Sequence, residues 1–185
     1  MNPLKYNTMK RTIFYSLTSF AALAIVLASC ELFNDLIDFS FTTGYEEVPF
    51  SVDPSAAGEY TFTEKVLKSD IEAEIKENGG DIANLKDITI KEAKLEMLTP
   101  GQNLDAFDWI KVYVKTANHP EIMVASVENI SNGLLSVDMA LSDESLKELL
   151  KEDEYTVTVI GALGEDVTVK LDLVVKIKYK VEVGA

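Results

Sequence analysis

The most regular hydrophobic pattern lies near the C-terminus. Every odd position from 167 to 183 is apolar: Val167, Val169, Leu171, Leu173, Val175, Ile177, Tyr179, Val181 and Val183. The even positions between them are polar or charged, Val174 excepted. A period of two predicts a strand with one dry and one wet face, with Lys176, Lys178 and Lys180 exposed. At about 3.3 Å per residue such a strand would run roughly 50 Å if straight, so it must bend or change sheets. Shorter alternating runs predict further strands at 37–41, 48–52, 60–62, 110–114, 122–127, 134–141 and 155–159. Pro49 restricts its strand to an edge or a start. Between Ile90 and Ala93 the apolar positions change parity, which implies a β-bulge or break near Lys91-Glu92.

Two short segments break the β rhythm. Ser69-Asp70-Ile71-Glu72 has the form of a capping box, with Leu67, Ile71 and Ile75 on one face and Gly79-Gly80 as the stop, predicting a helix over 69–78. Ser142 opens a second, 142–150, with Leu146, Leu149 and Leu150 inward. Turns are expected at 53–58 and at 99–103, and Asn132-Gly133 reads as a hairpin joining two strands. Many short strands, few helices and no βαβ rhythm predict a mainly β fold, an antiparallel β-sandwich of immunoglobulin-like kind with one or two short helices. A transmembrane barrel is disfavoured, because the helices and acidic loops leave too few strands.

The N-terminus has a different composition. Lys10 and Arg11 precede an uncharged run, 12–29, whose apolar part is 20–27; it ends in Leu27-Ala28-Ser29-Cys30. Cys30 is the only cysteine. This arrangement resembles the signal peptide and lipobox of a bacterial lipoprotein, in the style of small Bacteroidota envelope lipoproteins. The resemblance implies cleavage after Ser29 and a diacylglyceryl group on the Cys30 thiolate. It also implies two or three acyl chains, palmitate among them, on that residue. Each buried methylene contributes about 0.8 kcal/mol and one chain alone holds only marginally, so several chains make a lasting tether. An uncleaved transmembrane anchor is the rival, and Ser16, Thr18 and Ser19 weaken it. Met9 opens a more typical signal than Met1 does, which leaves the start open.

The expected organisation is a signal peptide over 1–29, a short tether over 30–36 and a β-sandwich domain over 37–185, with 37–80 open as a subregion ending in a helix. The anchor puts the protein in the cell envelope. No acidic run follows the cysteine, which in lipoproteins of this type accompanies surface export. The outer membrane is therefore the expected site, with its facing side open.

Charge narrows the function. The chain has 17 basic and 31 acidic residues, and loss of Lys5, Lys10 and Arg11 with the signal brings the net charge from −14 to −17. Arg11 is the only arginine. Nucleic acid is not an expected partner, because phosphate contacts need clustered Lys and Arg. Membrane contact is expected through the acyl chains on Cys30, not through a basic patch.

The expected catalytic, cofactor and metal residues are none. His119 is the only histidine and precedes Pro120, which reads as a loop. One histidine and an acylated cysteine disfavour zinc. The nearest acidic turns, 77–81 and Asp143-Glu144, lack a calcium-loop pattern and read as helix caps. No G-x-S-x-G, phosphate loop or dinucleotide fingerprint is present. Trp109, Tyr113, Tyr60 and Phe107 are candidates for a sugar-stacking surface, though most are expected in the core.

The expected function is a non-catalytic binding or structural module, with an unknown protein or glycan partner. A fimbrial or adhesin-type subunit is one alternative, weakened because fimbrillin maturation cuts after an arginine that the mature chain lacks. An envelope glycan hydrolase is the other, to be distinguished by clefted carboxyls of raised pKa.

Overall fold

The computed structural model describes residues 38–130 and 132–184. Ser29 and Cys30, with the expected signal peptide and tether, lie outside the described residues. Phe39–Val183 form one compact unit. Its strands are β1 (Phe39–Thr42), β2 (Glu46–Val52), β3 (Gly58–Lys68), β4 (Leu85–Met97), β5 (Phe107–Lys115), β6 (Ile122–Glu128), β7 (Ser136–Asp138), β8 (Ala140–Leu141), β9 (Glu154–Leu163) and β10 (Leu171–Val183). Helices α1 (Ile71–Glu77) and α2 (Lys147–Leu150) and a 3-10 turn at Ile82–Asn84 complete the described elements.

The fold is a mainly β, antiparallel sandwich. One sheet runs β1-β10-β4-β7, with β2 also on β10, and the other runs β3-β9-β5-β6-β8. Strand β10 is the spine of the first sheet. It pairs with β1 and β2 along one edge and with β4 along the other. Leu173, Val175, Ile177 and Val181 are fully buried and face Ile110, Val112, Val157 and Val159 of the second sheet within one core. Phe50 of the first sheet stacks on Phe62 of the second with ring centroids 5.8 Å apart, and Phe62 meets Phe107 of its own sheet edge to face at 5.7 Å. The stretch 39–80 contributes strands to both sheets.

The parity change in β4 is a bulge: Lys178 pairs with Glu92 and Tyr179 with Ile90, so Lys91 is the extra residue. Pro49 lies on β2, where a missing N–H can face away from β10. The second short helix buries Leu146, Leu149 and Leu150 as expected, although it starts only at Lys147.

Several expectations are corrected. The last strand starts at Leu171; Val167 makes an isolated bridge to Ser55, and Val169 is exposed. Lys176, Lys178 and Lys180 are half-buried, not free. Lys176 sits 2.7 Å from Glu96 and 3.7 Å from Glu47, and Lys178 sits 3.5 Å from Glu92 and over the Tyr45 ring. Lys176 lies opposite Glu47 of β2 and diagonal to Glu96 of β4, Lys178 lies opposite Glu92 of β4, and Lys180 pairs with Glu182 of its own strand, so the wet face is laced with ion pairs.

The capping box does not form. The Ser69 hydroxyl donates to the Leu150 carbonyl, and the N-cap is Asp70 without a side-chain bond. A free carbonyl at the end of α2 offers Ser69 a tertiary partner. Leu67 belongs to β3, which is longer than the expected 60–62. Residues 134–141 are not one strand. β7 pairs with β4 and β8 with β6, and Met139 between them is buried where the chain changes sheets. Gly133 has the positive φ of a turn, yet β6 and β7 are not hairpin partners; the Gly133 N–H donates to the Asp105 carboxylate at 2.5 Å instead.

Candidate functional site

Strand β2 alternates with Val48, Phe50 and Val52 facing the core, and Glu46 shares their parity. The same alternation brings Tyr155 of β9 and Tyr179 of β10 inward from opposite sheets. All three meet at one end of the sandwich. Tyr155 Oη donates to Glu46 Oε2, and Tyr179 Oη lies 3.3 Å from the same oxygen and 3.5 Å from Tyr155 Oη. Two tyrosines at the rims of facing sheets thus share one carboxyl acceptor.

The cluster floors a cleft of about 210 Å³, walled by Tyr45, Asp70, Glu74 and Lys68. Burial holds the Glu46 carboxyl above its usual range, against the lowering effect of the two tyrosine donors; Asp70 raises it further and Lys65 opposes. Burial also raises Glu74, with Asp70, Glu77 and Glu46 adding repulsion. Burial, first of all, pushes both tyrosines above the ordinary phenol range, so each remains a proton donor to Glu46.

This geometry sets a pH dependence. The folded state binds the Glu46 proton more tightly than the unfolded chain does. The contribution is therefore complete at acidic pH and is lost as pH rises from near 4.5 through the raised folded value. Glu46→Gln, neutral throughout, should gain stability relative to wild type as pH rises from 4 to 8. Urea midpoints of both proteins across that range check this; a constant difference would mean that Glu46 titrates as it does unfolded.

Other sequence candidates are dispersed. His119 lies in the loop after β5, with Nε2 3.4 Å from Glu152 and its backbone N–H on the Thr116 hydroxyl. Asp81 caps the 3-10 turn through Ala83 N–H, and the Ser142 hydroxyl accepts from Glu144 N–H. Among the described residues, no group of three or more His, Cys, Asp or Glu is arranged to hold a metal. Phe107 is buried and Tyr60 stacks on Phe62, whereas Trp109 and Tyr113 lie half-buried on the outer face of β5. The four aromatics therefore do not form one platform. The Glu46 cluster is absent from the sequence expectations; its signal was a carboxyl at a core-parity position.

No family model matches the chain, and no curated protein matches it significantly. Solved structures with some likeness include the decameric BFDV capsid protein. That match covers 80% of this chain and 99% of the other, at 11% identity and a TM-score of 0.38. Desmodium yellow mottle tymovirus matches over 80% of this chain and 84% of the other, at 7% identity and a TM-score of 0.24. Both scores are too low to bear on function, and the architecture rests on this chain's own strand pairing.

Proposed function

We propose that the chain is a lipid-anchored envelope protein whose β-sandwich serves as a non-catalytic binding or structural module. The observation that carries this reading is the lipobox: an uncharged apolar run, small residues, then the sole cysteine, Cys30. The first described strand begins at Phe39, a short stretch beyond the cysteine. A folded domain that close to the acyl chains would stand at the membrane surface, most suitably the outer membrane. The arrangement of Glu46 supports a structural role, since its carboxyl is tied to two tyrosine donors from facing sheets.

Cys30→Ala should leave an unprocessed precursor or a soluble protein when cells are fractionated. A variant that still sediments with membranes at mature size would overturn the anchor. A second reading, a glycan hydrolase, is favoured by one observation, the raised carboxyls of Glu46 and Glu74 in a single cleft. Glycosidases place two carboxyls about 5–9.5 Å apart across the scissile bond. Cleavage of an oligosaccharide by wild type and not by Glu46→Gln would establish it in place of the non-catalytic reading.

A further inference from the structure

The opposite part of the second sheet carries an arrangement that regular strand geometry would not produce. In β5, Phe107 pairs with Leu163 and Trp109 with Ala162, so Asp108 is an extra residue, a β-bulge. Phe107 and Ile110 are both buried, while Asp108 is exposed and Trp109 half-buried. Two consecutive side chains, a carboxylate and an indole, therefore leave the core side together. In an unbroken strand they would point to opposite faces. Bulges of this kind re-aim side chains beside functional sites.

The surroundings fix the pair. Asn129 donates its backbone N–H to the Asp108 carbonyl at 3.1 Å and adopts φ 53°, the only positive φ among the described non-glycine residues. Asparagine adopts the left-handed region readily, so this residue turns the chain at the end of β6 and fixes the loop beside Asp108. Gly164 makes room for the carboxylate: a Cβ there would lie 2.3 Å from Asp108 Oδ1. Lys111 stands 5.0 Å from the Trp109 ring centroid and 3.6 Å from Glu128, restraining the indole from one side. Asp105 ties the facing loop through Gly133 N–H. Among the described residues, the Asp108 carboxylate and the Asn129 and Asn132 amides make no side-chain hydrogen bond, and all three line one cleft of about 500 Å³.

We infer that the Asp108–Trp109 bulge is a binding site for a neutral pyranose sugar. The apolar C–H face of the sugar ring would lie on the indole, and adjacent ring hydroxyls would donate to the Asp108 carboxylate and exchange hydrogen bonds with the Asn129 and Asn132 amides. Asp105, Asp108 and Glu128 against Lys111 make the cleft net negative, which excludes uronic acids and phosphorylated sugars. This deepens the binding-module reading and rests on its binding part, not on the lipid anchor.

Trp109 is the chain's only tryptophan, so its fluorescence reports this site alone. The full chain as purified from its own cells, in a detergent without a sugar headgroup, is titrated with mannohexaose, maltohexaose, cellohexaose and chitohexaose. Hexagalacturonate and hexalysine serve as charged controls. The expected result is a saturable change with at least one neutral hexasaccharide and none with hexagalacturonate. By calorimetry, Trp109→Ala and Asp108→Asn should each weaken that binding at least tenfold. Gly164→Ala, which displaces the carboxylate, should do the same while its melting transition stays cooperative. The site is overturned if no neutral sugar changes the fluorescence at millimolar concentration, if only hexalysine does, or if folded Asp108→Asn binds as wild type does. Fractionation of Cys30→Ala tests the anchor separately, so the two failures are distinguishable.

Discussion

Ile177→Ala should cost the domain about 2–5 kcal/mol. Ile177 is fully buried in the middle of β10, paired with Ala93 on one side and Glu46 on the other. Deleting its outer atoms loses their transfer free energy and opens a cavity between two sheets whose strands are fixed by long ladders, so the walls can collapse only in part. A domain of this size has a total stability of about 5–15 kcal/mol. The sole cysteine provides no intrachain disulfide to hold a loosened core. Lys178→Ala, one residue along and on the outer face, removes a half-exposed ion pair with Glu92 and a contact with the Tyr45 ring, and should cost under about 1 kcal/mol. Denaturant melts of the two variants check the pair. Equal losses would mean that β10 is covered on both faces.

Gly161→Ala should be destabilising by about 1–3 kcal/mol or more, although it adds only one methyl group. The new Cβ would lie 2.5 Å from the Trp109 carbonyl oxygen, 2.8 Å from Phe62 and 3.0 Å from Ile110. The nearest of these is backbone, which cannot rotate away. Gly161 sits in β9 where both neighbouring strands are irregular, β3 between Thr61 and Thr63 and β5 between Phe107 and Trp109. Those bulges bring the flanking chains close to β9, and only a residue without a side chain fits between them. Gly44→Ala, with nothing within 4 Å, is the control and should change the midpoint little. A Gly161→Ala melt within about 0.5 kcal/mol of wild type would show that the ladder can spread at this point.

The amino-acid sequence by itself determined the class of fold, because burial of one face imposes a period of two that is visible in any single strand. The odd positions of β10, the Pro49 edge, the Lys91 bulge and the inward leucines of α2 were all legible in this way. Local chemistry misled where a tertiary partner outbid it. Ser69 reads as a cap until Leu150 supplies a carbonyl, and 134–141 reads as one strand until its halves find different sheets. Lys176 and Lys178 of the wet face became paired only when β2 and β4 brought acids alongside them.

Neither candidate site could be read from spacing. Glu46, Tyr155 and Tyr179 are more than a hundred residues apart at the extremes and converge only because β2 and β9 belong to opposite sheets. Asp108 and Trp109 are adjacent in the chain, yet their shared face depends on a register slip against β9. Periodicity reports which side chains leave water. It carries no information on which strands become neighbours or where their registers break, because those are decided by packing across the whole core.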